Sequence, residues 1–361
     1  PESFLEDVGK WFDRLVNPDP LNNTGPIKPL RPATVKHRRF QIQMAASALV
    51  LAGRTREDIT SLAYLVDLQN FKDALRYLMS RHGDKPTEAI HTLAMGLKAI
   101  ARHHVKVDEE HLGEMSGICQ RLNLEVDGLR EKNRVRLLQL EDDHNLARLI
   151  HLPAELVRTS KRPGHRDHKA ALLMQAALAI EILLYDPMRI GNLAALDLER
   201  HMRRIQVGRE KRTQIVIPGD EVKNGKTLNY ELGPGATRLL DSYIDEARPV
   251  LLRNPSDYLF PAQEGGPKRT NSLSTLIKSM VLEYTGLDVT AHLFRSIAGK
   301  IHSRIAPGDF VTLSHVLSDT LSTAMKAYAQ FEQKSSNEHY QRSVEKARTQ
   351  LLPGRKIRKS G

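Results

Sequence analysis

Between Ala33 and Leu122 the apolar residues recur at the three-and-four spacing of amphipathic helices, whereas between Ile205 and Leu232 they alternate in three short segments. A chain with both patterns, in that order, is constrained to a purely helical unit followed by one in which a small sheet interrupts helices. The first stretch carries its own start signals. Thr34 opens a predicted helix through Val50, and Asp67 one through Arg81. Pro86-Thr87-Glu88 opens a third, with Ile90, Leu93, Met95, Leu97 and Ile100, and Val107-Asp108-Glu109 a fourth, with Leu112, Met115, Ile118 and Leu122 on one face. The expectation is a compact domain of four or five helices over residues 30–128. Upstream, Pro18, Pro20, Pro26, Pro29 and Pro32, with Asn22, Asn23 and Gly25, favour extended chain, so residues 1–29 read as an arm or linker.

Residues 123–138 are charged and lack clear periodicity, which marks a domain boundary and puts the second domain at 136–361. That domain opens with a strongly apolar helix, His168 to Tyr185, predicted to be buried on most sides. Asp186-Pro187 then reads as a cap and first turn of a helix carrying Arg189, Leu193 and Leu196. Three alternating segments follow, Ile205–Val207, Gln214–Ile217 and Thr227–Leu232, separated by Gly208 and by Lys223-Asn224-Gly225-Lys226. The Asn-Gly pair signals a hairpin, so a small antiparallel sheet is expected. Helices return at Thr237–Ala247, Ser272–Tyr284, Arg295–Ser303 and Thr320–Phe331, with a tail from about residue 332. The predicted fold class is thus an α-helical amino-terminal domain and a mainly α second domain containing a small antiparallel β-sheet.

A chain of 361 residues can bury two cores, and its formal net charge of +11 favours a polyanionic partner. The charge is grouped, at Lys161-Arg162, Arg166, Arg203-Arg204, Arg209, Lys211-Arg212 and Arg355-Lys356-Ile357-Arg358-Lys359. A membrane surface would attract the same groups, but no strongly amphipathic anchor accompanies them. No apolar run reads as a membrane span, and Pro1–Asp7 lacks the pattern of a secretory signal. The single cysteine, Cys119, falls in a helical pattern and reads as a buried thiol, consistent with a reducing cytoplasm.

The candidate chemistry lies in a basic set with a tyrosine: Arg189, Lys223, His292, Arg295, His315 and Tyr328. Each has an ordinary explanation when taken alone. His292 and Arg295 are three apart, the spacing of any surface pair on a helix. Arg189 has Asp197 and Glu199 within reach for a salt bridge. Lys223 sits in a turn, and Tyr328 lies in a helix where a core tyrosine is the default. Jointly they suit a phosphodiester: arginines neutralise the non-bridging oxygens, histidines and lysine move protons, and a phenol attacks. No metal-ligand cluster or nucleotide-binding loop stands beside them.

In this order, across a helix–sheet–helix region, the residues resemble the tyrosine recombinase (phage integrase) family over roughly residues 135–335. Arg189, in Met188-Arg189-Ile190-Gly191-Asn192-Leu193, is similar to the family's first arginine. Lys223 of Lys-Asn-Gly-Lys resembles its hairpin lysine, and His292-Leu293-Phe294-Arg295 its His-x-x-Arg box. His315 fits the following histidine, and Tyr328, in Ser322-Thr323-Ala324-Met325-Lys326-Ala327-Tyr328-Ala329, the nucleophile. The departures are specific. Asp186-Pro187 replaces the usual Thr-Gly, and Asn192 replaces an acid. Leu313-Ser314-His315 replaces Leu-Gly-His, and the stretch from His315 to Tyr328 is a few residues longer than usual. Tyr340, in polar surroundings, is a rival nucleophile.

The resemblance implies a helical, SAM-like core-binding domain that clamps DNA opposite a catalytic domain of the recombinase fold. It implies a site-specific recombinase or integrase, for a mobile element, that cleaves and rejoins strands through a covalent 3′-phosphotyrosine. No metal or ATP is required in such chemistry, because the phosphotyrosine retains the bond energy. Arg189 and Arg295 are then expected to bind the scissile phosphate, His292 to act as base or hydrogen-bond partner to the phenol, Lys223 to protonate the leaving 5′-oxygen, and His315 to hydrogen-bond the phosphate. Lys36, Arg38, Arg39 and Lys226 are the expected DNA contacts. The partner implied is double-stranded DNA, held by a homotetramer on two sites with a dimer on each, in the cytoplasm with the nucleoid. A type IB topoisomerase-like or telomere-resolving enzyme shares this catalytic plan, and a non-catalytic DNA-binding relative would share the fold.

Overall fold

The computed structural model describes residues 1–19, 21, 26–124, 131–164 and 167–351, with backbone alone for 326–336, 338–339 and 351. The chain divides into two compact units, Pro1–Val126 and Asp127–Gly361.

In the first unit the helices are α1 (Glu2–Val16), α2 (Pro32–Leu51), α3 (Leu62–Val66), α4 (Leu68–Ser80), α5 (Glu88–Ile100), which runs on into a π-helical turn at Ala101–Val105, and α6 (Glu109–Leu122). Local chemistry sets several starts. The Asp67 carboxylate accepts from the amides of Gln69 and Asn70, Thr87 from Ile90, and Asp108 from His111, each satisfying amides a helix leaves unpaired. Helix α2 begins at Pro32 instead of being capped by Thr34, whose own amide already donates to Arg31 O at 2.8 Å. Proline in the first turn loses no hydrogen bond, so no side-chain cap is needed.

Residues 2–16 are not an arm. Val8, Trp11, Phe12 and Leu15 recur at helical spacing and are buried with α2–α6 in one core. Asp7 fastens the helix further, accepting from Leu62 N at 2.7 Å and from the His104 ring at 2.7 Å. Burial alone would raise the Asp7 pKa. The hydrogen bonds from Leu62 and His104 and the nearby Lys10 outweigh it and hold the carboxyl below its ordinary value. Cys119 is buried here, and burial raises its thiol pKa, as the sequence suggests.

The second unit begins earlier than residue 136. Its helix α7 (Glu131–Leu138) buries Leu137, and Arg136 meets Asp288 at 2.8 Å. Helices α8 (Asp143–Ser160) and α9 (Asp167–Tyr185) pack along each other. Among the described residues α9 is the one helix long and apolar enough to cross a membrane by length and composition. Most of it, including Leu173, Ala176, Ala177, Leu178, Ile180 and Leu183, lies in the core.

Short helices α10 (Ile190–Ala194) and α11 (Leu198–His201) lead to a three-stranded antiparallel sheet: β1 (Met202–Val207), β2 (Glu210–Ile217) and β3 (Leu228–Leu232), in that order. One face of β2 and β3 buries Ile215, Ile217, Leu228, Tyr230 and Leu232, the alternation expected of a sheet wet on one side. The tight two-residue turn is Gly208-Arg209, where Gly208 has φ +60°. Asn224-Gly225 instead lies within a longer loop, 218–227. That loop is cinched: a Cβ on Gly219 would stand 2.5 Å from the carbonyl oxygen of Gly225.

Then follow α12 (Pro234–Ser242), a π-helical turn at Tyr243–Ala247, α13 (Arg248–Leu251), α14 (Thr270–Thr285), α15 (Leu293–Ile305), α16 (Phe310–Leu317) and α17 (Leu321–Leu351). Helix α17 does not stop at Phe331. It continues through the stretch read as a tail, and the basic Arg355–Lys359 group lies outside the described residues.

Candidate active site around two arginines

Helix α9 ends at Tyr185, and the chain turns through Asp186-Pro187-Met188 before α10 starts at Ile190. Asp186 is therefore not the cap of a helix carrying Arg189. Arg189 itself is the residue at the head of α10, in extended conformation. From there its Nη2 donates to Asp319 Oδ1 at 2.9 Å. Neither nearby acid takes it: Asp197 accepts from Glu199 N and Arg200 N as the cap of α11.

Arg295 lies one turn into α15 and is buried, with its side chain 7% exposed. Its Nη1 donates to Pro187 O at 2.9 Å, and its Nη2 to Leu317 O at 2.8 Å and Asp319 Oδ2 at 2.6 Å. The carbonyl of the residue replacing the family's glycine thus helps hold the guanidinium. One carboxylate bridges both arginines, each oxygen taking one. The structure brings together two residues far apart in sequence, and it does so through an acid that the sequence reading did not include.

Asp319 lies in the joint between α16 and α17. Ser318 before it is in the left-handed conformation, φ +49°, where glycine is the usual occupant. Thr320 after it caps α17, its hydroxyl accepting from Thr323 N. The order Leu317-Ser318-Asp319 repeats Leu313-Ser314-His315 four residues later, and its serine has the backbone a Leu-Gly-His glycine suits. Counting from Asp319 removes four residues from the lengthened approach to Tyr328. His315, on α16, is exposed, and among the described residues its ring makes no hydrogen bond. Among the described residues the contact to the arginines is made by Asp319 and not by His315, because the left-handed turn at Ser318 carries the chain from the end of α16 back to the arginines.

The remaining candidates fall on the 218–227 loop and on helices α15 and α17. The 218–227 loop reaches it through Asn224, whose Nδ2 donates to Ser318 O at 3.0 Å. Lys223 precedes Asn224 and is exposed, as is Lys226. His292 is exposed at the head of α15, one turn before buried Arg295. Tyr328 lies on α17, and its side chain is outside the described residues. Tyr340, farther along α17, is exposed. Tyr230 on β3 is buried beside the site. Burial raises its phenol pKa, against the lowering influence of Ser318, Arg295 and Arg189.

Asp186 also belongs to this neighbourhood. One of its carboxyl oxygens is buried without a partner among the described residues, and burial, reinforced by the like charge of Glu231, pushes its pKa up to about 7 from 3.8. The folded protein then holds this proton at pH values where the unfolded chain has lost it. The contribution to stability is full below pH 3.8 and is lost as pH rises toward 7. Asp186→Asn, which cannot ionise, is expected to gain thermal stability relative to wild type between pH 4 and pH 8. Thermal melts across that range check it, and parallel curves would refute it.

Of the expected DNA contacts in the first unit, Lys36 is exposed. Arg39 is exposed too and lies 4.8 Å from the centre of the Phe12 ring. Arg38 is turned inward, donating to Gln41 Oε1 at 3.1 Å and lining a cavity of about 190 Å³ with Trp11, Ile42 and Ile100. Burial lowers its pKa. It is the least available of the three for a phosphate.

Residues 155–312 match the model of the phage integrase family. No curated protein matches the chain. Similar solved structures include the XerH site-specific recombinase bound to a palindromic difH substrate in a post-cleavage complex, at 14% identity and TM-score 0.54, covering 92% of this chain and 94% of that one. The XerH pre-cleavage complex is 15% identical with TM-score 0.52, covering 84% and 79%. A lambda integrase dimer bound to a COC′ core site is 13% identical with TM-score 0.51, covering 91% and 95%. At such identities the likeness speaks for the fold, here a mostly helical chain with a three-stranded antiparallel sheet. The family match spans the segment that contains Arg189, Lys223, His292 and Arg295, so residues 155–312 of this chain are similar to the phage integrase (tyrosine recombinase) family.

Proposed function

We propose that this protein is a site-specific DNA recombinase that cleaves and rejoins strands through a 3′-phosphotyrosine. The observation that carries the reading is the pair Arg189 and Arg295 converging on one anion. Two guanidiniums fixed around a small oxyanion are what in-line displacement at a phosphodiester needs. They bind the non-bridging oxygens and stabilise the charge that grows there in the transition state.

Tyr328 is the nucleophile in this scheme. A phenol of ordinary pKa near 10 needs a partner for its proton, and His292, one turn from Arg295, supplies it. The phenolate oxygen forms a bond to phosphorus as the bond to the 5′-oxygen breaks, and Lys223 gives its proton to that oxygen. The reverse sequence, with another 5′-hydroxyl attacking, rejoins the strand. The +11 charge supports association with duplex DNA, with Lys36 and Arg39 as phosphate contacts of the first unit and Lys226 of the second. Assembly as a homotetramer on two sites, and service to a mobile element, belong to the same proposal.

The test uses DNA recovered with the protein, built into a nicked suicide duplex that loses its 5′-hydroxyl fragment on cleavage. A covalent adduct at a 3′-phosphate is the expected product, and its absence on every bound sequence would overturn the reading. Robust relaxation of plasmid lacking such a site would favour a topoisomerase instead. Lys223→Ala is expected to slow cleavage by roughly 10²–10⁴-fold. A substrate whose bridging 5′-oxygen is replaced by sulfur should restore most of that loss, because a thiolate leaves without a proton. Equal slowing on both substrates would remove Lys223 from the acid role.

A further inference from the structure

The carboxylate of Asp319 stands where a phosphate would be held. It takes Arg189 Nη2 at 2.9 Å and Arg295 Nη2 at 2.6 Å, and its side chain is 10% exposed. A phosphodiester bridging the same guanidiniums needs hydrogens that this acid already uses. It also meets one net positive charge where the arginines alone would present two. The acid sits between two helices, where its side chain can turn away while its amide stays on Ser314 O at 3.0 Å: Ser318 is left-handed, α16 ends at Leu317, and α17 starts at Leu321. Leu317 O continues to hold Arg295 when Asp319 leaves, so the guanidinium stays oriented.

We propose that Asp319 is a resident counter-anion of the phosphate site, one that a phosphodiester must displace before it can engage both arginines. The proposal rests on the reading of the arginine pair as a phosphate site. It makes Asp319 a residue that lowers the protein's affinity for DNA while keeping Arg189 and Arg295 in place without it. The joint also leads directly into the helix bearing Tyr328, so displacement of the carboxylate acts on the start of that helix.

The experiment compares wild type with Asp319→Asn and with Asp319→His, a second neutral replacement at pH 8, in case the amide fails to fold. Inorganic phosphate is titrated in a chloride buffer of constant ionic strength, with thermal stability as the readout. In chloride the variants are expected to melt below wild type, since two arginines face each other without a counter-ion. Phosphate should restore them, with an apparent Kd at least fivefold lower than for wild type. Adding Arg189→Ala should abolish that difference. At fixed salt the neutral variants should also bind duplex DNA at least fivefold more tightly. Phosphate affinity unchanged or weaker in both folded variants would overturn the proposal. Tighter phosphate binding with no covalent adduct from any variant on any bound DNA would sustain it while removing strand transfer.

Discussion

Tyr328→Phe is expected to abolish the covalent protein–DNA adduct, reducing cleavage by more than about 10³-fold, while leaving DNA binding and thermal stability close to wild type. The change removes one oxygen, and no other group in the proposed chemistry can take its place as attacker on the scissile phosphorus. Position in the chain supports the assignment. Tyr328 follows Asp319 by nine residues on the helix that starts beside the arginine joint, whereas Tyr340 is three turns farther along the same helix. Gel analysis of suicide-substrate reactions decides it. An adduct that survives Tyr328→Phe and disappears in Tyr340→Phe would transfer the role to Tyr340.

The two arginines are expected to fail in different ways. Arg295→Met should cost about 3–5 kcal/mol of stability as well as cleavage, because a buried pair is broken and Asp319, Leu317 O and Pro187 O lose a donor together. Arg189, whose side chain is 33% exposed and has Asp319 as its recorded partner, should behave otherwise. Arg189→Ala is expected to lower stability by about 1 kcal/mol or less, yet to slow cleavage roughly 10²–10³-fold through lost stabilisation of the developing oxyanion. Denaturant melts alongside single-turnover cleavage separate the two patterns. Equal destabilisation by both changes would contradict the burial difference.

Where local chemistry decides, the sequence is legible. Asp67, Thr87 and Asp108 begin helices because a short oxygen-bearing side chain pairs the amides two or three residues on, an interaction complete within one turn. The sheet is legible too, since alternation follows directly from the pleat. Helix α1 was also within reach: Val8, Trp11, Phe12 and Leu15 have helical spacing, but the prolines beyond them draw the whole segment toward an extended reading. Asp186 misleads because its residue type suits a cap, whereas its amide closes the end of α9 on Ile182 O at 2.7 Å and the carbonyl of the next residue, Pro187, accepts from Arg295.

Asp319 is the residue that a search for phosphate chemistry passes over, because an acid there has the wrong sign. Its signals were present: a second Leu-Ser-x four residues after the first, and a separation from Tyr328 that removes most of the extra length. Choosing between the two registers needs the backbone at Ser318, which no spacing rule supplies. His315 has the right chemical type, yet its helix leaves it facing solvent.

The cinched loop between β2 and β3 has a mechanical consequence. There is no room for a methyl group between Gly219 and Gly225, so the two ends of the loop pack closely, and Asn224 ties its tip to the carbonyl of Ser318. Pulling that joint outward alone breaks a hydrogen bond, at about 1 kcal/mol; pulling it with the loop attached does not. Lys223 and the root of the tyrosine helix are therefore tethered, as two ends of one linkage. In the proposed chemistry, a shift of the Tyr328 helix that keeps this hydrogen bond carries the Lys223 loop with it.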